Sequence, residues 1–291
     1  MPITIAVAGK GGTGKTTISA LTIDYLARSQ TGSILAIDAD PSTNLNMALG
    51  VEVDETIGGG REEIVGDIRS GQYNLGMDKQ QSFRLMIQEC LVEADAFDLL
   101  AMGRPEGPGC YCAPNHLLRQ SVDALAGSYA YVVIDNEAGL EHISRRTTRD
   151  VDVLLVVSDA TMRGLVAAQR VFELVAEMKS RIYRAHLIVN RVPTDGDGTP
   201  RLSPELAAKV AELKMPLLGM LPQDPAVAEK DALGQPLVTL PPDSSMRRHL
   251  ERLLGPVLPF EQPARAGGSP LSSVVPCLRK GVVVDSRLHR P

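Results

Sequence analysis

Along the chain, short runs of consecutive apolar residues alternate with longer stretches whose apolar positions recur every three or four residues. The first pattern marks strands buried on both faces and the second marks helices that cover them. Together they predict a mostly parallel twisted sheet with helices on both sides. The strand segments are Ile3–Ala8, Ile34–Ile37, Phe97–Ala101, Tyr131–Ile134, Val153–Val157, Ala185–Val189 and Pro216–Met220, with Pro236–Leu240 as an eighth. Helical spacing covers Lys15–Ser29, Arg84–Glu93, Asn115–Leu125, Gly164–Arg181, Pro204–Leu213 and Ser244–Leu254. In the fourth helix Leu165, Ala168, Val171, Phe172, Val175 and Met178 form one stripe, the signature of a core-facing surface.

Three segments break this rhythm. Val51–Gln81, with Gly58-Gly59-Gly60 and scattered charges, reads as an inserted, mobile region. Thr194–Pro204 carries Asp195-Gly196-Asp197-Gly198 and reads as a surface loop. From Glu261 to Pro291 the pattern dissolves into Pro, Gly and Ser, so this tail is expected to be poorly ordered. The remaining residues 1–260 suit one α/β domain, and no internal repeat is present.

Charge and composition then narrow the function. A net charge of −5 and a pI of 5.6 argue against binding nucleic acid through phosphate neutralisation, and the absence of Trp leaves few platforms for stacking bases. No apolar run approaches the length of a membrane-spanning helix, and Met1-Pro2-Ile3-Thr4-Ile5 leads straight into a strand without the features of a secretory signal. The expectation is a cytoplasmic protein that binds neither nucleic acid nor membrane. In that reducing setting Cys90, Cys110, Cys112 and Cys277 are thiols, and close spacing points to metal or redox chemistry.

The strand ending at Ala8 runs into Gly9-Lys10-Gly11-Gly12-Thr13-Gly14-Lys15-Thr16-Thr17, and a helix opens at Lys15. In this context the motif is a phosphate loop: backbone N–H groups and the helix N-terminus cradle phosphates, Lys15 reaches the β and γ phosphates, and Thr16 offers its hydroxyl to Mg²⁺. ATP or ADP with Mg²⁺ is therefore the expected ligand. Lys10 places a second cation beside Lys15, which is electrostatically costly unless phosphate is present. Two further carboxylates end strands: Asp40 in Asp38-Ala39-Asp40-Pro41, and Asp135 in Tyr131-Val132-Val133-Ile134-Asp135. Strand ends are where α/β sheets bind ligands.

The run from Lys10 to Thr17 resembles the deviant Walker A loop of the MinD/ParA-like ATPases, a family that includes nitrogenase iron protein and arsenite-pump ATPases. The resemblance implies that Lys10 reaches across a homodimer to the partner's ATP. It further implies that Asp40 lies in switch I near Mg²⁺ and the attacking water, that Asp135 is the Walker B aspartate, and that Gly139 senses the γ phosphate. Asn190, Arg191 and Pro222 would flank the adenine. Where family members follow the Walker B aspartate with a small residue and prolines, this chain has Asn136-Glu137-Ala138.

Cys110 and Cys112 lie between a strand and a helix, where the helix N-terminus favours thiolate. Two thiolates cannot complete a four-sulfur site, but a twofold dimer axis supplies four. Zn²⁺, Ni²⁺, Cu⁺ or an iron–sulfur cluster would suit them. The segments Gly103-Arg104-Pro105-Glu106-Gly107-Pro108-Gly109-Cys110-Tyr111-Cys112 and Asp135-Asn136-Glu137-Ala138-Gly139-Leu140-Glu141-His142 resemble accessory ATPases of the CooC/AcsF type. That resemblance, from about Ile3 to Leu254, implies Ni²⁺ or Zn²⁺ at the cysteine pair. It also implies a nickel–iron–sulfur client, either carbon monoxide dehydrogenase or acetyl-CoA synthase. Other readings are an iron–sulfur electron-transfer ATPase and a partition or positioning ATPase. His116 and His142 are candidate auxiliary ligands that read better as helix-surface residues. Cys90 reads as packed core and Cys277 as isolated.

Overall fold

Eight strands form one sheet in the order β3-β4-β2-β5-β1-β6-β7-β8. The computed structural model describes residues 1–30, 32–70, 78–104, 112–137, 150–177, 181–213 and 215–258. β1 (Ile3–Gly9), β2 (Ile34–Asp38) and β5 (Tyr131–Asp135) are buried at every position, as expected of central strands covered on both faces. They are flanked by β4 (Asp98–Ala101), β6 (Asp150–Asp159), β7 (Arg181–Val192) and β8 (Leu217–Pro222), all running parallel. Among the described strands only the edge strand β3 (Leu91–Glu93) is antiparallel, paired with β4.

Side-chain alternation sorts the core into two layers. Along β1, Ala6 and Ala8 face one layer, while Ile3, Ile5 and Val7 face the other. The first layer is covered by α3 (Ile57–Ser70), α4 (Lys79–Glu89), α5 (Cys112–Ala126), α6 (Met162–Glu177) and α7 (Pro204–Glu212). Opposite it lie α1 (Lys15–Arg28), α2 (Leu45–Leu49), α8 (Pro225–Leu233) and α9 (Ser245–Leu254). Buried Arg247 of α9 ties this layer together, meeting Asp24 of α1 at 3.4 Å and the Val238 carbonyl at 2.8 Å. The expected stripe on α6 is confirmed where it is described: Leu165, Ala168, Val171 and Val175 are buried.

Several elements differ from the sequence reading. The segment expected as a mobile insertion carries α3, because its glycines are packing residues. A Cβ on Gly58 would stand 2.3 Å from the Arg104 carbonyl oxygen, and one on Gly60 would stand 2.6 Å from Met86 Cγ. Instead of continuing to Glu93, α4 stops at Glu89 and the next residues pair as β3. Pro236–Leu240 is not an eighth strand but contains a 3-10 turn, Leu237–Thr239. Arg181, expected to end a helix, begins β7. Helices α2 and α8 were missing from the reading. α8 had a readable start, since Asp224 accepts from the Ala226 N–H and Pro225 occupies the first turn. Residues 259–291, including the tail and Cys277, lie outside the described residues.

Leu250 is 1% exposed in the layer that joins α9 to α1. Leu250→Ala is expected to lower stability by about 2–5 kcal/mol through loss of burial and a residual cavity. Urea unfolding monitored by circular dichroism measures the loss, and a change under 1 kcal/mol (roughly the lower bound for such a cavity) would contradict this packing.

Candidate nucleotide-binding site

The site lies where β1, β2 and β5 end. At Gly9 the backbone is so close to β6 that a Cβ would stand 2.2 Å from the Val157 carbonyl oxygen. Beyond it the Lys10 carbonyl gathers the loop, accepting from Thr13 Oγ1 at 2.9 Å and from Lys15 Nζ at 3.4 Å. Gly14 has φ +91°, and a Cβ there would meet Asn190 Nδ2 at 2.4 Å, so glycine is required twice over. No side chain caps α1 and no acidic residue sits in its first turn. Its leading N–H groups and positive dipole end therefore point at a space suited to an anion. Lys15 is buried against the loop, whereas Lys10 is exposed.

Two carboxylates stand side by side because Asp38 and Asp135 are register partners on adjacent parallel strands. Asp135 Oδ2 accepts from Thr16 Oγ1 at 2.7 Å and its Oδ1 from Ser19 Oγ at 3.0 Å, fastening β5 to α1. Burial pushes Asp135 up to about 7, and the Asp38 charge adds to the rise, while the Thr16 and Ser19 hydroxyls and Lys15 oppose it. Asp38 is fully buried and also raised by burial, against the pull of the Leu45 and Asp40 N–H groups. Those two N–H groups donate to its carboxylate at 2.9 and 3.0 Å, so Asp38 holds the turn that carries Asp40 and starts α2. Asp40 in turn accepts from the Ser42 N–H at 2.8 Å.

A cleft of about 450 Å³ opens beside the loop, lined by Gly12, Lys15, Thr16, Asp40 and Glu137 among others. A second cavity of about 260 Å³ adjoins it, lined by Asn190, Pro222, Gln223, Val227 and Met246. Of the expected phosphate-loop residues, Gly11, Gly12, Gly14, Lys15, Thr16 and Thr17 share this cleft with Asp40, whereas Lys10, Thr13 and Asp135 do not line it; Asn190 and Pro222 line the neighbouring cavity, and Arg191 lines both. Asn190 spends its amide nitrogen on the Thr13 carbonyl at 2.9 Å, and Arg191 donates to the Gly12 carbonyl at 3.0 Å. Arg191 also adopts φ +56°, an unusual conformation for a non-glycine residue and one that clusters at functional sites.

Residues 4–237 match the CobQ/CobB/MinD/ParA nucleotide binding domain family. The chain belongs to this family of P-loop ATPases. An uncharacterized ATP-binding protein of Methanocaldococcus jannaschii is 44% identical over 250 residues, covering 86% of this chain and 96% of that protein. The carbon monoxide dehydrogenase accessory protein CooC of Rhodospirillum rubrum is 29% identical, covering 84% of this chain and 93% of CooC. Among solved structures, the septum site-determining protein MinD of Pyrococcus horikoshii, complexed with Mg-ADP, superposes with a TM-score of 0.60. It is 22% identical and covers 88% of this chain and 96% of its own, a likeness of fold.

As in any P-loop ATPase, the triphosphate cleft could be read from one contiguous motif, and of its supports Asp135, Asn190 and Arg191 were named through family resemblance. Asp38 and Ser19 were missed, although Asp38 was visible as the first acid of Asp38-Ala39-Asp40 and Ser19 lies one helical turn after Lys15. Gly139, Cys110 and His142 fall outside the described residues. Cys112 is the first residue of α5, which also carries His116. Cys90 is packed core, 2% exposed with its thiol 3.8 Å from Met86 Sδ. No group of three or more His, Cys, Asp or Glu among the described residues could hold a metal ion, and none of their helices is long and apolar enough to cross a membrane.

The raised Asp135 has a definite pH signature. The folded chain keeps this proton up to about pH 7, whereas the unfolded chain releases it near 3.8. The group therefore subtracts stability progressively as pH rises from about 4 to 7, and by a constant amount above that. Asp135→Asn is expected to gain on the parent between about pH 5 and pH 7.5 in urea unfolding without Mg²⁺ or nucleotide. A stability difference independent of pH would contradict the assignment.

Proposed function

We propose that this ATPase uses Mg²⁺·ATP to control a metal site formed by Cys110 and Cys112 at a homodimer interface, and that it assists nickel insertion into carbon monoxide dehydrogenase or acetyl-CoA synthase. The observation that carries the reading is a backbone connection. The Met102 N–H donates to the Asp38 carbonyl at 2.8 Å, so the chain leaving β4 toward the cysteines is joined to the turn that presents Asp40. A shift of that turn on nucleotide binding has a direct route to the segment between β4 and α5. The likeness to CooC over nearly the whole ATPase body adds the client class.

Individual roles follow from chemistry and, for Lys10, Asp40, Gly139, Asn190, Arg191 and Pro222, from the family resemblance. Lys15 and the N-terminus of α1 hold the β and γ phosphates of the same subunit's ATP, with Gly11, Gly12, Thr13, Gly14 and Thr17 completing the cradle. Exposed Lys10 is free to serve the nucleotide of the partner subunit. The oxygen donors at Thr16, backed by Asp135, fit Mg²⁺, which prefers hard ligands. When bound, that ion neutralises charge on the transferred phosphoryl group. Asp40 orients the attacking water, and Gly139 reports the γ phosphate. Asn190, Arg191 and Pro222 border the base. Thiolates at Cys110 and Cys112, four in the dimer, accept Ni²⁺ or Zn²⁺ as cargo.

Ni²⁺ titration by competition with a chromogenic chelator, with and without ATP, tests the proposal. The parent should bind one Ni²⁺ per dimer, and ATP should change its affinity by about tenfold, a typical coupling between sites. Cys110→Ala or Cys112→Ala should abolish binding. Lys10→Gln should keep the metal but lose the ATP effect and nucleotide-dependent dimerisation. Unchanged Ni²⁺ affinity in the cysteine variants would overturn the metal reading. ATP-dependent pelleting with DNA or vesicles, in place of metal coupling, would identify a positioning ATPase instead.

A further inference from the structure

Three residues, Thr17, Arg191 and Asp231, line both the phosphate cleft and the adjoining cavity. A nucleotide with its phosphates on the loop and its base in the second cavity must place its sugar at this junction. That geometry rests on the nucleotide reading above. Of the three, Thr17 is buried in α1 and Arg191 is a pure donor already engaged with the Gly12 carbonyl. Asp231 is the acceptor, and its side chain is exposed at the cleft wall.

Its position on α8 is unfavourable for a purely structural acid. Asp231 lies in the last turn of Pro225–Leu233, where the helix dipole disfavours negative charge, and Lys230 beside it is the kind of residue that end prefers. Desolvation holds the Asp231 carboxyl above the usual carboxylate range, and the charge of Arg191 opposes that rise. Arg191 is thus bonded to the phosphate loop at the Gly12 carbonyl while its charge also reaches Asp231. A carboxylate beside a sugar site is the usual acceptor for ribose hydroxyls, since an ionised acid can only accept and a vicinal diol donates twice.

We propose that Asp231 accepts hydrogen bonds from the ribose hydroxyls of the bound nucleotide and makes the site selective for ribonucleotides over deoxyribonucleotides. No proton is transferred, so Asp231 acts in binding and selectivity rather than in phosphoryl transfer.

Equilibrium binding of ATP, 2′-deoxy-ATP and 3′-deoxy-ATP with Mg²⁺ to the full chain decides the matter. The parent should bind at least one deoxy analogue about five- to twentyfold more weakly than ATP, the range expected for losing a charged hydrogen bond. Asp231→Ala should bring all three ligands within about twofold by weakening ATP most, since each deoxy analogue has at most one hydroxyl contact left to lose. Alanine is a strong helix former at this exposed position and should fold. Asp231→Asn, whose amide oxygen can still accept, should retain part of the preference. Equal affinities in the parent, or a preference undiminished in Asp231→Ala, would overturn the proposal while leaving the nucleotide site intact. Absence of binding by any of the three ligands would overturn the nucleotide site and this inference with it.

Discussion

A carboxylate buried at the end of β5 is the constraint around which the site is organised. Asp135 has almost no access to water, and an ionised acid in such a place is tolerated only when donors or cations surround it. Thr16 and Ser19 supply hydroxyls from one face of α1, which fixes how that helix meets the sheet. The start of α1 is in turn the end of the phosphate loop. Burial pushes this anchoring acid toward its neutral form, so positive charge nearby, as from Lys15, favours its ionisation.

Beside it, Asp38 uses the same strategy for a different end. Its carboxylate accepts two backbone N–H groups and so shapes the turn through Asp40 into α2. Its carbonyl accepts from Met102 and so guides the chain leaving β4. One residue therefore joins the nucleotide-facing turn to the approach to α5, through bonds that depend on the parallel registry of β2, β4 and β5. The turn through Asp40 is thereby hydrogen-bonded to the chain leaving β4 at Met102. On the other side of the loop, Asn190 and Arg191 bond to the Thr13 and Gly12 carbonyls. The phosphate cleft and the neighbouring cavity thus share a wall that is braced from both ends.

Much of this was legible before any coordinates. The apolar runs located seven of the eight strands because strands buried on both faces leave nothing polar to confuse the pattern. Edge strand β3 escaped, since three half-exposed residues continuing a helical pattern carry no strand signal. Helix α3 escaped for the opposite reason. Three successive glycines look like a breaker, yet Gly58 and Gly60 are there because the Arg104 backbone and Met86 leave no room for a side chain. That reason lies in residues more than twenty positions away.

The sequence alone determined the α/β class and the phosphate loop, because each depends on residues adjacent in the chain. The loop's glycines, Lys15, Thr16 and the helix they open are one contiguous unit with its own chemistry. Asp135, Asn190, Arg191 and Pro222 were also named from the sequence, but through family resemblance; that Ser19 and Thr16 both bond Asp135, and that Asp231 stands beside Arg191 at the second cavity, were decided only by the tertiary structure. The bonds of Ser19 and Thr16 to Asp135 and of Asn190 to Thr13 join positions separated by 116 or more residues. Local periodicity and motif spacing carry no information about such pairs; the order in which the strands lie side by side creates them.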